Sequence, residues 1–160
     1  VVNPALVETF RLENSTKRIR AWEETAAAIS EAGLAEDFSA IVFDDRNIFH
    51  QMQRYGSMAD RPLRMWLRYS GPVNHAEQEW PLEDGHPDPV LLVSHRPLEV
   101  AKMREDFDLF ESAGSLTIAL DGDKTREFTL WRAQGYHRIA RNDAFETRWQ
   151  AIDSAIQAGD

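Results

Sequence analysis

The sequence contains no cysteine. This absence excludes disulfides, thiolate nucleophiles and cysteine-ligated metals, but it leaves the cellular compartment open. Apolar runs are also short: none approaches the roughly 18 residues that a bilayer-spanning helix needs, and no signal peptide is visible. The sequence therefore predicts neither a disulfide bond nor a membrane-spanning segment within these residues.

Basic residues are also few: the chain has 18 basic and 27 acidic residues, which gives a net charge of −9. An acidic surface repels nucleic-acid phosphates and anionic lipid headgroups unless a local basic stripe overrides the mean. The basic residues are scattered along the sequence, for example Lys17, Arg18 and Arg20 in one predicted helix. We therefore expect no nucleic-acid partner.

The length and composition predict one globular domain. The chain has 160 residues, of which 42% are apolar and 28% charged, which is ordinary for a packed protein. We expect a single soluble α/β domain over residues 1–160. The chain begins at Val1 without an initiator methionine, and from this we expect a mature product or a fragment excised from a longer chain.

The first half of the chain predicts a helix, a strand and a second helix. Ser15 can cap a helix over residues 15–32, and Gly33 can end it in the left-handed conformation. A short apolar run at 39–44 is typical of a buried strand, and a helix is predicted at 45–55. Residues at helical spacing should form the inner faces of these helices: Ile19, Trp22, Ala26, Ile29, Ile48, Phe49 and Met52.

The second half predicts further strands around a long polar loop. Strands are indicated at 63–69 and 89–94, and the loop covers 70–89. Pro97 can occupy the first position of a helix that runs to about Ser112. The inner face of this helix is expected to contain four apolar residues: Val100, Met103, Phe107 and Phe110.

A late hairpin and a final helix complete the predicted elements. Residues 115–120 and 127–132 indicate two antiparallel strands joined by a turn at 121–122. Asn142 or Asp143 can cap the last helix. The alternation of elements predicts an α/β fold: a mostly parallel or mixed sheet of about five strands flanked by helices, with the hairpin at its edge. The inner face of the last helix should contain Phe145, Trp149, Ile152 and Ile156.

Asp44 and Asp45 are the first candidates for chemistry. They follow a predicted strand, at the end where open α/β sheets place their ligand crevice. Two carboxylates there could hold Mg²⁺ and serve a small metal-dependent enzyme acting on a phosphorylated substrate. The other interpretation, which the missing glycine-rich phosphate loop favours, is that one of them caps the following helix.

Histidine and serine give weaker signals. The five histidines do not form the pattern that places two imidazoles on one helical face, so we predict no metal site from them: His50, His75, His86, His95 and His137. Ser94 lies between a strand and a helix, as a nucleophile would, but the glycines of a nucleophile elbow are missing. Ser94 is therefore interpreted as a helix cap, and no catalytic residue or cofactor is assigned.

The loop at 70–89 has the densest polar cluster in the chain. Asn74, His75 and Glu77 combine amide, imidazole and carboxylate groups that hydrogen-bond readily to hydroxyl-rich ligands, and Trp80 offers a stacking face. A glycan- or protein-binding module centred on this loop is one hypothesis. The alternative is an ordinary solvated loop that Trp80 packs against the core.

The order of these segments resembles the C-terminal domain of bacterial polytopic membrane glycosyltransferases. The resemblance is to the protein-mannosyltransferase-like and aminoarabinose-transferase-like enzymes, and it covers about residues 38–136. It depends on five segments in order: Ile-Val-Phe-Asp-Asp-Arg at 41–46, the helix ending at Tyr55-Gly56, Pro-Leu-Arg-Met-Trp-Leu at 62–67, Asn74-His75, and Pro-Val-Leu-Leu-Val-Ser at 89–94.

The resemblance implies an auxiliary role. Enzymes of this type transfer a sugar from a polyprenyl-phosphate donor at the periplasmic side of the inner membrane, and their catalytic acids lie in the membrane region. No such residue can be assigned in this sequence. The implied partner is a membrane-embedded region of the same polypeptide, and a glycan or lipid-linked sugar is a further expected partner.

Overall fold

The structure is a computed structural model that describes residues 4–56 and 61–159, with side chains described from Thr16 onward. The helices in these ranges are α1 (Pro4–Leu34), α2 (Arg46–Tyr55), α3 (His75–Glu79), α4 (Pro97–Arg104) and α5 (Asp143–Ala158). The strands are β1 (Ala40–Phe43), β2 (Leu63–Met65), β3 (Val90–Ser94), β4 (Phe107–Ala119) and β5 (Thr125–Tyr136).

The strands form one mixed sheet in the order β2-β1-β3-β5-β4. Strand β1 pairs in parallel with β2 on one side and with β3 on the other, whereas β5 pairs antiparallel with β3 and with β4. The predicted α/β class, with about five strands and a late antiparallel hairpin, is therefore confirmed. The hairpin turns through Gly122, whose φ of +62° lies in the left-handed region that favours glycine.

The central strands are buried on both faces, because helices cover each side of the sheet. Every residue of β1 and β3 is buried, which explains why their sequences read as continuous apolar runs. On one face, α1 and α2 contribute Ala26, Ile29, Ile48, Phe49 and Met52 to the core. On the other face, α4 contributes Val100 and Met103, and α5 packs beside it with Phe145 and Trp149 buried.

Helix α1 starts earlier than predicted. It begins at Pro4 and continues to Leu34, so Ser15 lies inside the helix and is not its N-cap. Ile19 is 44% exposed, whereas Ala26 and Ile29 are buried. Among the described side chains, the predicted inner face is therefore wrong at Ile19 and correct at Trp22, Ala26 and Ile29, which pack on the core of the sheet.

The largest error of prediction concerns residues 97–112. Helix α4 ends at Arg104, and strand β4 begins at Phe107. Phe107 and Phe110 fit a helical repeat in the sequence, but pairing with β5 overrides that local pattern. Gly114 does not end a helix; it lies in the strand at an irregularity of the ladder, with a φ of +107°.

Strand β2 is shorter than the predicted span of 63–69. It covers only Leu63–Met65, since its partner β1 ends at Phe43, opposite Met65. Trp66 and Leu67 stay buried although they lie beyond the strand. Of the helices in the described ranges, none combines the length and apolar character that crossing a bilayer requires.

Candidate functional site

The chain direction marks one place on the sheet where a ligand crevice would be expected. From β1 the chain moves to β2 on one side, and then returns past β1 to β3 on the other side. Such a switch in direction leaves a gap between the carboxyl ends of the two adjacent parallel strands. Asp44 and Asp45 follow β1 at this gap, and Ser94, His95 and Arg96 end or follow β3.

Asp45 caps helix α2 and also pairs with a histidine. Its Oδ1 accepts hydrogen bonds from the backbone N–H of Asn47 at 2.7 Å and of Ile48 at 3.4 Å, which are unpaired donors of the first turn. Its Oδ2 lies 2.8 Å from Nε2 of His95. Burial alone would raise the pKa of Asp45, but the hydrogen bonds from His95, Asn47 and Ile48 together lower it below its ordinary value.

Asp44 is more deeply buried than Asp45 and accepts hydrogen bonds from Ser94 and Arg96. Its Oδ2 accepts from Ser94 Oγ at 2.9 Å and from Arg96 Nε at 3.1 Å, and its backbone carbonyl accepts from Arg96 Nη2. Burial raises the pKa of the Asp44 carboxyl, against the opposing effects of Arg96 and Ser94. The other oxygen, Oδ1, is buried without a hydrogen-bond partner.

These contacts decide between the two interpretations of the aspartate pair. The prediction that one of them caps the following helix is confirmed for Asp45. At Asp44 the guanidinium of Arg96 already occupies the position of a cation next to the carboxylate. Over the described ranges, no group of three or more histidine or acidic side chains is placed to hold a metal ion. The metal-dependent enzyme stays an untested hypothesis.

Ser94 has a different role from the one predicted. The N-cap of α4 is Arg96, and it makes no side-chain capping bond. Ser94 is 1% exposed; its hydroxyl donates to Asp44 and accepts from the backbone N–H of Arg96 at 3.0 Å. It therefore connects the end of β3 to the end of β1. His95 bonds to Asp45 and does not pair with the Ser94 hydroxyl, so the two do not form a nucleophile–base pair.

The predicted loop at 70–89 contains the short helix α3, which brings its polar residues together. Asn74 Oδ1 accepts from the Glu77 backbone N–H at 3.0 Å, and Asn74 Nδ2 donates to Glu77 Oε1 at 2.8 Å. Glu77 Oε2 accepts in turn from the backbone N–H of Val73 at 2.9 Å. This reciprocal arrangement satisfies the unpaired donors of the helix start, much as a capping box does.

Trp80 packs the same segment against the core. Its ring lies 5.5 Å from the ring of Phe49 and 6.0 Å from that of His75. The Trp80 carbonyl accepts from the Met65 backbone N–H at 2.7 Å, which fastens the segment to β2. The Asn74 amide and the Glu77 carboxylate of the predicted ligand site thus form hydrogen bonds within the segment. His75 is exposed. Ligand binding by Asn74, His75, Glu77 and Trp80 stays a prediction.

One buried network was not predicted from the sequence. Asp106 is fully buried and accepts from Trp66 Nε1 at 2.7 Å and from Arg141 Nη1 at 2.8 Å. It also accepts from the backbone N–H of Ile139 at 3.0 Å. The partners are far from Asp106 in sequence, and no motif connects them, so only tertiary contact reveals this network.

Removal of the Asp45 side chain tests the helix-cap assignment. We expect Asp45→Ala to lower the free energy of unfolding at neutral pH by about 1 kcal/mol, because the cap is lost. Asp45→Asn, which keeps an accepting oxygen, should lose less. Since the folded-state pKa of Asp45 is depressed, the stability that its charge contributes is fully present above the ordinary pKa of 3.8 and is lost as pH falls through the folded-state pKa.

Urea denaturation at neutral pH and near pH 3 measures both effects. Between these values, the difference in stability between the parent and Asp45→Asn should shrink. Equal stability of the parent and Asp45→Ala at both values would contradict the cap and the stabilising contact with His95 alike.

The comparisons with known proteins give no information on function, so the function has to be argued from the fold and from these contacts. The fold and site define a five-stranded mixed α/β fold in which hydrogen bonds join the polar side chains at the switch point. No family model, curated protein or solved structure matches the chain.

Proposed function

We propose that this chain is an auxiliary periplasmic domain of a bacterial membrane glycosyltransferase. Transfer of the sugar from a polyprenyl-phosphate donor would take place in a membrane-embedded region of the same polypeptide. The domain would stay at the periplasmic side of the inner membrane and support the acceptor side of that reaction. It would not turn over substrate by itself.

The observation that supports this proposal is the network of hydrogen bonds among the side chains at the switch point of the sheet. Asp45 bonds to the start of α2 and to His95, and Asp44 bonds to Ser94 and Arg96. Side chains committed in this way strengthen the junction between β1, β3 and the helices that follow them. A domain whose polar groups at this position serve its own fold fits a supporting role better than a catalytic one.

The resemblance stated from the sequence, which covers about residues 38–136, is the second argument for the proposal. The segments on which it depends lie in β1 with Asp44-Asp45, α2 ending before Gly56, β2, α3 capped by Asn74, and β3.

Sugar transfer by the full-length enzyme tests the proposal. We expect removal of this domain to lower transfer in membrane preparations by about tenfold to a hundredfold, because a misplaced acceptor slows a reaction without altering its catalytic groups. Asp45→Asn in the full-length enzyme is the matched control and should leave transfer within about twofold, since it preserves the helix cap.

Two results would reject the proposal. One is unchanged transfer after removal of the domain at equal enzyme abundance in the membrane. The other is activity of the isolated chain itself. It would be seen as sugar transfer without the membrane region, or as calorimetric binding of Mg²⁺ that Asp44→Asn abolishes. The gene should also encode several apolar segments of about 20 residues before the codon for Val1.

A further inference from the structure

A groove between α1 and the turn of the β4–β5 hairpin gathers positive charge on this acidic protein. The cavity has a volume of about 480 Å³, within the size range of small-ligand sites. Basic side chains from three separate segments line it: Lys17, Arg18 and Arg20 from α1, Lys124 from the turn, and Arg126 from β5. The carboxylates that share the lining are those of Glu24 and Asp121.

Among the side chains that the structure describes, the five basic residues of the groove form no ion pair. Five positive charges against two negative ones make the groove locally positive, although the whole chain carries −9. A local field of this kind attracts anions despite the repulsion of the mean charge.

Arg126 gives the groove a fixed cation. Its guanidinium carbon lies 3.7 Å from the centre of the Trp22 ring, and its Nη1 donates to Thr25 Oγ1 at 3.2 Å. Thr25 is itself buried and donates to the Ala21 carbonyl at 2.6 Å. Partial burial lowers the pKa of Arg126, yet an arginine stays charged at neutral pH, so this desolvated cation would gain from an anionic ligand.

The turn of the hairpin places the second part of the site. Leu120 and Lys124 are joined by a backbone hydrogen bond of 2.8 Å, which closes the turn around Gly122. Lys124 is thereby held opposite α1, where Lys17 lies one helical turn before Ala21 on the groove side. The apolar side chains of Ala21 and Leu120 complete the wall, so the groove has a charged part and an apolar part.

We propose that this groove binds the phosphate group of a phosphate ester. Lysine and arginine together match the terminal oxygens of a phosphate, since lysine supplies a point charge and arginine supplies a fork of N–H donors. The phosphate could belong to a soluble ester or to the headgroup of an anionic lipid, and the apolar wall suits either a sugar ring or the start of an acyl chain. This proposal does not depend on the proposed glycosyltransferase role.

Two binding measurements test the site and separate the two sources. Inorganic pyrophosphate is titrated into the chain by calorimetry, and sedimentation is measured with vesicles of phosphatidylcholine alone and of phosphatidylcholine mixed with phosphatidylglycerol. We expect binding of pyrophosphate, of the anionic vesicles, or of both. Pyrophosphate binding indicates a soluble ester, and binding only to the anionic vesicles indicates a lipid headgroup. Both signals should weaken as salt is added.

Charge-neutralising variants connect the binding to the groove. The double variant Lys17→Gln/Lys124→Gln changes two exposed side chains and should weaken binding by about tenfold or more, as expected for lost charge-assisted hydrogen bonds. Arg126→Gln should weaken it similarly. Arg148→Gln is the matched control, because it removes an exposed positive charge on α5, on the opposite face of the sheet.

The proposal is overturned if neither pyrophosphate nor the anionic vesicles bind the parent chain. It is equally overturned if Lys17→Gln/Lys124→Gln binds as tightly as Arg148→Gln. Since the double variant changes only exposed side chains, its circular dichroism and melting temperature should match those of the parent, so a loss of binding cannot be attributed to unfolding.

Discussion

Replacing Asp106 by alanine should lower the free energy of unfolding by about 3–5 kcal/mol, the cost of breaking a buried ion pair from one side. Asp106 is fully buried, and Arg141 keeps only 2% of its side chain exposed. Without the carboxylate, the Trp66 indole N–H loses its acceptor, and the buried Arg141 guanidinium loses its counter-ion and keeps only backbone carbonyls as acceptors. The segment between β5 and α5 also loses one of its hydrogen bonds, because the Ile139 backbone N–H bonds to the same carboxylate.

The measurement is equilibrium urea denaturation, with thermal unfolding as a second readout. For a chain of this length, a loss of this size corresponds to a drop of about 10 °C in Tm. Asp108→Ala is the matched control: it lies two residues further along the chain, 70% of its side chain is exposed, and it should change stability by less than about 0.5 kcal/mol. An Asp106→Ala variant within about 1 kcal/mol of the parent would refute the role assigned to the network.

The second large effect is expected for Phe49→Ala, with a loss of about 3–5 kcal/mol. Phe49 is fully buried in the core that α1 and α2 form on the sheet. Its ring lies 6.2 Å from that of Phe43 and 5.5 Å from that of Trp80. Truncation would leave a cavity at this point, and it would also remove the surface on which Trp80 packs.

Two comparisons separate the cavity from the loss of the Trp80 contact. His50→Ala changes the exposed neighbour on α2 and should alter stability by no more than about 0.5 kcal/mol. In a double-mutant cycle, Phe49→Ala and Trp80→Ala should be non-additive by about 0.5–1.5 kcal/mol, the range for aromatic pairs. Strict additivity would show that Trp80 is held by its backbone bonds alone. In that case the ring contact would not explain the order of the 70–89 segment.

Local signals were sufficient wherever a segment is governed by its own neighbours. The apolar runs at 39–44 and 89–94 predicted the buried strands β1 and β3, and the Asp44-Asp45 pair predicted a cap for the helix that follows. The Asp121-Gly122 turn predicted the hairpin, since a left-handed residue is needed there. In each case the physical cause, whether a continuous apolar run, an unpaired N–H or a backbone angle, acts within a few residues.

Local signals failed where a distant partner decides the conformation. Phe107 and Phe110 have helical spacing, but this segment forms strand β4 because it pairs with β5 through backbone hydrogen bonds. Strand β2 begins at Leu63 and ends at Met65, because its partner β1 ends there. The residues of β2 themselves contain no signal for this end. The short helix α3 also escaped prediction, since its start depends on reciprocal bonds between Asn74 and Glu77 within a loop-like composition.

The sequence by itself determined the α/β class, the paired strands and the absence of any cysteine chemistry. The tertiary structure alone decided which polar groups meet: Asp44 with Arg96, Asp106 with Arg141, and the α1 cations with Lys124 and Arg126. The reason is physical. Strand and helix patterns depend on short-range periodicity, whereas an ion pair or a charged groove depends on distances between segments that lie many tens of residues apart.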